Sequence, residues 1–392
     1  MSLSALYQDP GLKYPDHDLG LPFSEYILKC QNLIKNSRLD LENNLDPDHI
    51  IEANSPFEFK PKMAENKKIR YGALLLHGLL DCPFVMRDVG KHLQDHGLLV
   101  RSLLLPGHGT VPGALLNVKY EDWLQTMNYG LANLSQDVDK IFLVGFSTGA
   151  ALALHHALKH TPNSVVGLIL LAPAIKIYSS LDFTTRWPNY ISWAWERAKW
   201  MSLQPEIDYT KYQSIAFNAA YQVYRLTAEI KKISEQNSLT HPMMVVISQD
   251  DQTVSSQATI NYFQQHTKEN SELLIYSNRQ NYVNDPRVVV RPASHPDWNI
   301  SDISHVAIPI APYNPRYGMN GDYIYASHVE EDKAENKKII YSAYNPAQND
   351  WFNFIDRLRR DPTIYQRLTF NPDFTFLKLM MSQFIEKIIF ST

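Results

Sequence analysis

From Tyr71 onward the chain alternates short, unbroken apolar runs with longer stretches of helical periodicity. GALLLHG, LLVRSLLLP, IFLVG, VVGLILLA, MMVVIS and ELLIYS are continuous rather than alternating, as expected of strands buried on both faces of a parallel sheet. Between them, helical spacing predicts helices over Phe84–His96, closed by Gly97, over Tyr120–Leu134, from the Ser147 turn to His160, and over Gln257–His266. FTFLKLMMSQFIEKII near the end reads as an amphipathic helix. Strands and helices in this order predict an α/β fold, a mostly parallel sheet flanked by helices.

Breaks in that alternation suggest boundaries. Residues 1–68 are polar, with scattered Pro and Asp and one amphipathic stretch, Glu25–Ile34, and read as an N-terminal extension or packing arm. From 176 to 240 the strand pattern stops and aromatic residues accumulate, from Tyr178 through Trp187, Trp193 and Trp200 to Tyr212, Tyr221 and Tyr224. This segment reads as a helical cap inserted into a core made of residues 69–175 and 241–392. The core carries its own C-terminal insertion, in which RVVVRP and HVAIPI look strand-like. AENKKI occurs at 64–69 and again at 334–339, but nothing around either copy repeats, so no repeat architecture follows.

Composition narrows the class. Hydrophobic residues at 44% and charged residues at 20% are ordinary for a globular chain, and a net charge of -4 gives no basis for a nucleic-acid partner. Two cysteines, Cys30 and Cys82, exclude a disulfide framework and suit a reducing compartment, so a cytoplasmic location is expected. No apolar run approaches the roughly 18 residues of a transmembrane segment, and the first thirty residues lack the apolar core of a signal peptide. His155 and His156 are neighbours on a predicted helix and point in different directions, which argues against a shared metal. No metal and no cofactor is expected.

The stretch VGFSTGA, Val144–Ala150, contains G-x-S-x-G between a predicted strand and a predicted helix. That is the setting in which Ser147 would stand exposed on a tight, strained turn as a nucleophile. A hydroxyl needs a base to take its proton and a carboxylate to orient that base. An oxyanion needs N–H donors, and Thr148, opening the helix, and Leu79, directly after His77-Gly78, are the candidates. For the acid, the MMVVIS strand runs into Asp250 and Asp251. Histidines beyond them are His266, His295, His305 and His328. His266 ends a predicted helix and His328 lies in a polar segment, which leaves His305, ahead of VAIPI, and His295, in SHPDW. His77 and His108 read as structural hydrogen bonders, and Cys82 as an incidental thiol.

Together these residues resemble the α/β-hydrolase fold, and within it the carboxylesterase and monoacylglycerol-lipase-like group. The resemblance spans roughly residues 57–310. It rests on LLLHG followed by Pro83-Phe84-Val85-Met86, on LLLPGHGT at Leu103–Thr110, on Glu121-Asp122-Trp123, on GFSTG and on the D-x-x-V turn of QDDQTV. It implies a Ser147–His305–Asp251 triad, a serine hydrolase acting through an acyl-enzyme, and a small ester substrate with an apolar acyl group. Ala150 stands where the group's elbow often has a further glycine, Leu79-Leu80 replace an aromatic and small polar residues, and the interval from Asp251 to His305 is unusually long. Peptides, thioesters or phospholipids, acyl transfer, a noncatalytic interaction protein and peripheral lipid binding are the alternative readings.

Overall fold

The structure, a computed structural model, describes residues 3–15, 19–62, 69–160, 164–177, 196–279, 284–323, 338–343 and 363–391. The chain divides into two compact units, Met1–Leu170 with Ser179–Pro242, and Leu171–Tyr178 with Met243–Thr392.

In the first unit the strands β1 (Phe57–Phe59), β2 (Tyr71–Leu76), β3 (Leu99–Leu103), β4 (Lys140–Phe146) and β5 (Val165–Leu171) lie in the order β1-β3-β2-β4-β5. β2 runs parallel to β3 and to β4, and β1 runs antiparallel to β3. The apolar runs fill the centre: Ala73–Leu76 and Ile141–Val144 are buried without exception. Continuous Leu, Ile and Val on both faces of a strand are stable only when both faces are covered, which is why these runs became strands.

The N-terminal 68 residues hold more order than their polarity suggests. Helix α1 (Phe23–Ser37) buries Phe23, Tyr26, Cys30 and Ile34, one stripe at helical spacing, and the Tyr26 hydroxyl donates to the Leu104 carbonyl at 3.1 Å. Helix α2 (Pro47–Asn54) starts where Asp46 accepts the His49 N–H and Pro47 takes the first turn. β1 is held chemically as well as by its ladder. Glu58 sits opposite Arg101 of β3 and pairs with it at 2.7 Å, and Arg101 also reaches Asn133 Oδ1 at 2.9 Å and Asp137 at 2.6 Å. A cation in the middle of a buried strand is thereby matched by two carboxylates.

The remaining helices of this unit are α3 (Arg87–Asp95), α4 (Tyr120–Leu134), α5 (Thr148–Lys159) and α6 (Phe217–Ser234). Of the aromatic segment 176–240, Tyr178, Trp187, Trp193 and their neighbours to 195 lie outside the described residues. Its described part holds an antiparallel pair, β6 (Trp200–Ser202) with β7 (Ile215–Ala216), and then α6. α6 is joined to the end of α5 by the Lys159–Glu229 ion pair, and Asn237, just past its end, donates to the Leu158 carbonyl. Trp200 and Tyr212 are buried, whereas Tyr221 and Tyr224 stand exposed with their rings stacked.

The second unit contains the parallel strands β8 (Met243–Ser248), β9 (Glu272–Tyr276) and β10 (Val288–Arg291), the helices α7 (Ser256–His266) and α8 (Phe374–Ser391), and a parallel pair β11 (Lys338–Ser342) and β12 (Thr363–Arg367). RVVVRP supplies β10 as expected, but HVAIPI is not a strand. His305–Ala307 form a 3-10 turn, because the Ser304 hydroxyl accepts the Ala307 N–H at 3.3 Å and so caps a helical start. Burial of Ala307, Ile308 and Ile310 accounts for the apolar letters without any strand. No helix among the described residues is long and apolar enough to cross a membrane. Of the two AENKKI copies, only Ile69 of the first, and Lys338 and Ile339 of the second at the start of β11, lie among the described residues.

Candidate active site

Ser147 occupies the turn between β4 and α5, with φ 54° and ψ -113°, a backbone conformation that residues with a side chain adopt at a cost. Its two flanking glycines are there for space. A Cβ on Gly145 would fall 2.4 Å from the Ala150 nitrogen, and one on Gly149 would fall 2.2 Å from the Leu76 carbonyl oxygen. The first turn of α5 is thus pressed against the end of β2, beside which β4 ends in register, Leu76 opposite Gly145.

Thr148 is the first residue of α5, where backbone N–H groups have no acceptor within the helix and the helix dipole is positive. Leu79 lies in the turn that follows β2. Leu80, next to it, has φ 68°; its carbonyl accepts the Tyr212 N–H at 2.9 Å, and Lys211 pairs with Asp81 at 3.0 Å. Sequence reasoning missed Tyr212 and Lys211 in this role. They lie far from Leu79 along the chain, and no local pattern connects them.

His77 and His108 are buried structural hydrogen bonders. The His77 Nδ1–H donates to the Gly78 carbonyl at 2.8 Å, its Nε2 accepts the Leu105 N–H at 3.1 Å, and burial lowers its pKa to about 4. His108 donates toward the Leu105 and Pro106 carbonyls, and burial lowers it to about 3. Cys82 is a buried thiol, pushed up to about 12 by the same loss of solvent. His155 and His156, on α5, are buried and lowered to about 4, again chiefly by desolvation.

In the second unit the chain leaves β8 through a turn that buries Asp251. Asp251 Oδ1 accepts the N–H groups of Thr253, at 2.7 Å, and Val254, at 3.0 Å, so the D-x-x-V spacing is a side-chain-capped turn that fixes the carboxylate. Its Oδ2 accepts from His305 Nδ1 at 2.6 Å. That bond puts the proton on Nδ1 and makes Nε2 the basic nitrogen of the neutral ring. Both side chains are buried. His305 is itself held by the Ser304 cap, whose hydroxyl donates to the Leu368 carbonyl at 2.5 Å.

The rival residues have different surroundings. Asp250 is half-buried, and its carboxyl is raised by burial and by the Asp302 charge, with Arg279 opposing. His295 stacks on Trp298 and bridges to Ile300 through its backbone, and burial lowers its pKa. His266 ends α7 with its ring beside Tyr262. His328 lies outside the described residues.

Residues 68–279 match the family described as Serine aminopeptidase, S33. A thermostable monoacylglycerol lipase from Bacillus sp. (strain H-257) is 26% identical over 198 residues, covering 50% of this chain and 75% of that protein. Among solved structures, that of metagenome-derived lipolytic enzymes, LipS and LipT, is 19% identical with a TM-score of 0.47, covering 58% of this chain and 88% of the other. A Paleococcus ferrophilus monoacylglycerol lipase is 17% identical with a TM-score of 0.45, covering 57% and 88%. With more than half of its length matched to that family, and with a mostly parallel α/β frame carrying a glycine-flanked serine elbow, the chain belongs to the serine aminopeptidase S33 family of α/β hydrolases.

Proposed function

We infer that the protein hydrolyses carboxylic esters, with Ser147 as nucleophile, His305 as general base and Asp251 as the carboxylate that orients it. The observation that carries this reading is the strained, glycine-flanked Ser147 at the start of α5. The buried Asp251–His305 pair supports it, since a neutral imidazole with its Nδ1 proton held by a carboxylate can accept a proton at Nε2.

In this scheme Ser147 Oγ attacks the ester carbonyl carbon as His305 Nε2 takes its proton. The N–H groups of Leu79 and Thr148 hold the oxyanion, and the alcohol leaves with the proton returned by His305. Water then attacks the acyl-enzyme by the same route. A small ester with an apolar acyl group, of the monoacylglycerol kind, fits the aromatic content of residues 176–240 and the lipase similarity. Two buried thiols suit a cytoplasmic setting.

A second reading, cleavage of peptides from their amino end, is favoured by the family description. One experiment tests both: a fluorophosphonate probe with mass spectrometry, followed by p-nitrophenyl esters of rising chain length and amino-acid p-nitroanilides. Labelling at Ser147, absent from Ser147→Ala, and faster turnover of the esters are expected. Labelling elsewhere, or none, would discard the nucleophile assignment, and preference for the anilides would select the peptide reading.

A further inference from the structure

His305 stands on a single 3-10 turn, closed by the Ala307 N–H on the Ser304 carbonyl at 3.3 Å. One turn gains too few hydrogen bonds to hold its own direction. Its support comes from Leu368–Asn371, far along the chain. Ahead of His305, the Ser304 hydroxyl donates to the Leu368 carbonyl at 2.5 Å. Past it, the Asn371 N–H donates to the Ile310 carbonyl at 2.8 Å, and the Asn371 side-chain amide donates to the Ile308 carbonyl at 3.3 Å. His305 and Asn371 both lie beyond residue 279, where the family match ends, so that match does not account for this support.

Asn371 is fully buried, and its polar groups are all engaged. Besides the two bonds to Ile308 and Ile310, its Nδ2 donates to the Tyr276 hydroxyl at 3.1 Å, its Oδ1 accepts the Asp373 N–H at 2.9 Å, and its carbonyl accepts the Phe374 N–H at 3.2 Å. The amide has one orientation: turned over, its oxygen would face the Ile308 carbonyl and its nitrogen the Asp373 N–H. Tyr276 is the last residue of β9 and is also fully buried. Its own carbonyl accepts the Gln249 N–H at 2.8 Å, where the chain leaves β8 for Asp251. A closed circuit results. It runs from Asp251 back to Gln249, across to Tyr276, through the ring to Asn371, on to Ile308 and back to His305, whose Nδ1 meets Asp251 at 2.6 Å.

We propose that Asn371 is a positioning residue for the Asp251–His305 pair: by joining the Tyr276 hydroxyl to the Ile308 carbonyl, it holds the acid-bearing and histidine-bearing segments in one relation. The bond between the two side chains fixes a distance. The circuit through Asn371 fixes the main chains from which those side chains project, and so the direction of the imidazole. This rests on the ester-hydrolase reading and extends it to a residue outside the triad. Asn371 also closes the turn that opens α8, a purely structural task, so the test has to separate rate from stability.

Three variants of the full chain are compared by kcat and KM on p-nitrophenyl butyrate, by melting temperature, and by the far-downfield proton resonance of the His305 Nδ1–H. Asn371→Ala is expected to lose about tenfold to a hundredfold in kcat with KM within about threefold, as a misplacement of about 1 Å does, and to weaken the resonance. Tyr276→Phe removes the other end of the same link and is expected to lose about threefold to tenfold in kcat. Asp373→Asn breaks the 2.8 Å ion pair with Arg291 in the same segment but leaves the Asn371 amide alone. It should lower the melting temperature and keep kcat within about threefold. The proposal is overturned if Asn371→Ala keeps kcat within about threefold of wild type, if it loses kcat with the resonance unchanged, or if Asp373→Asn loses kcat in the same proportion to its melting temperature. Should Asn371→Ala not fold, Tyr276→Phe decides alone: a lower kcat with a weakened resonance supports the role, and an unchanged kcat removes it. A wild-type chain inert to both ester and fluorophosphonate removes the parent reading together with this one, whereas an active wild type with an active Asn371→Ala variant removes this one only.

Discussion

The strain at Ser147 has a thermodynamic consequence that can be measured without any substrate. At φ 54° and ψ -113° a residue with a Cβ pays about 1–3 kcal/mol, whereas glycine adopts such angles freely. Glycine also loses more chain entropy on folding, about 0.5–1 kcal/mol relative to alanine. The difference leaves Ser147→Gly more stable than Ser147→Ala by roughly 0.5–2 kcal/mol, or a melting temperature higher by about 1–3 °C for a chain of this size. Neither variant has a hydroxyl, so both should lose ester turnover by about 10⁴-fold or more, which separates the backbone effect from the chemistry. Guanidinium unfolding of the two variants side by side, followed by tryptophan fluorescence, gives the comparison directly. An alanine variant as stable as the glycine variant, or more so, would show that the elbow is relaxed and would refute the argument from strain.

Other outcomes test the dyad and the buried histidines. Asp251→Asn is expected to lower kcat by about 10⁴-fold, because an amide cannot hold the imidazole in the required tautomer, while Asp250→Asn stays within a few fold of wild type; equal losses in the two would reassign the acid. His305→Ala should abolish ester turnover and His295→Ala should not, and the reverse result in steady-state kinetics would move the base. His77, His108, His155 and His156 are all lowered by burial, to between about 3 and 4, from an unfolded value near 6.5. The unfolded chain therefore binds protons that the folded chain refuses, so stability present above about pH 6.5 should fall toward pH 4, at up to about 1.4 kcal/mol per pH unit for each histidine. Denaturant unfolding that is flat from pH 7 to 4.5 would contradict their burial as neutral rings. Gly149→Ala should destabilise by about 1–3 kcal/mol, since its methyl would meet the carbonyl oxygens of Leu76 and His77 at 2.2 and 2.6 Å; an unchanged melting curve would show that the helix start can move.

What was legible in the sequence was mainly what a buried parallel strand must write down. GALLLHG, IFLVG and MMVVIS became β2, β4 and β8 with bounds within a residue or two, and the helix over Tyr120–Leu134 matched α4 end to end. The elbow was readable because its two glycines and its serine are adjacent in sequence and are each required by local geometry. HVAIPI misled because an apolar run reports burial and not conformation; the informative letter was Ser304, a helix-capping residue, one place earlier. Asp46-Pro47 carried a similar start signal for α2. The Tyr212 link to Leu80 and the match of Glu58 to Arg101 are long-range pairings, set by how the chain closes on itself, and no window of sequence contains both partners.

The antiparallel strand β1 gives the N-terminal residues a protective role. Without Phe57–Phe59, the outer side of β3 would present a row of unpaired N–H and C=O groups beside an exposed Arg101, a template onto which another chain could add. Removing the first 60 residues should therefore convert a terminated sheet into a sticky one, and the loss would first be seen as self-association at high concentration rather than as loss of turnover.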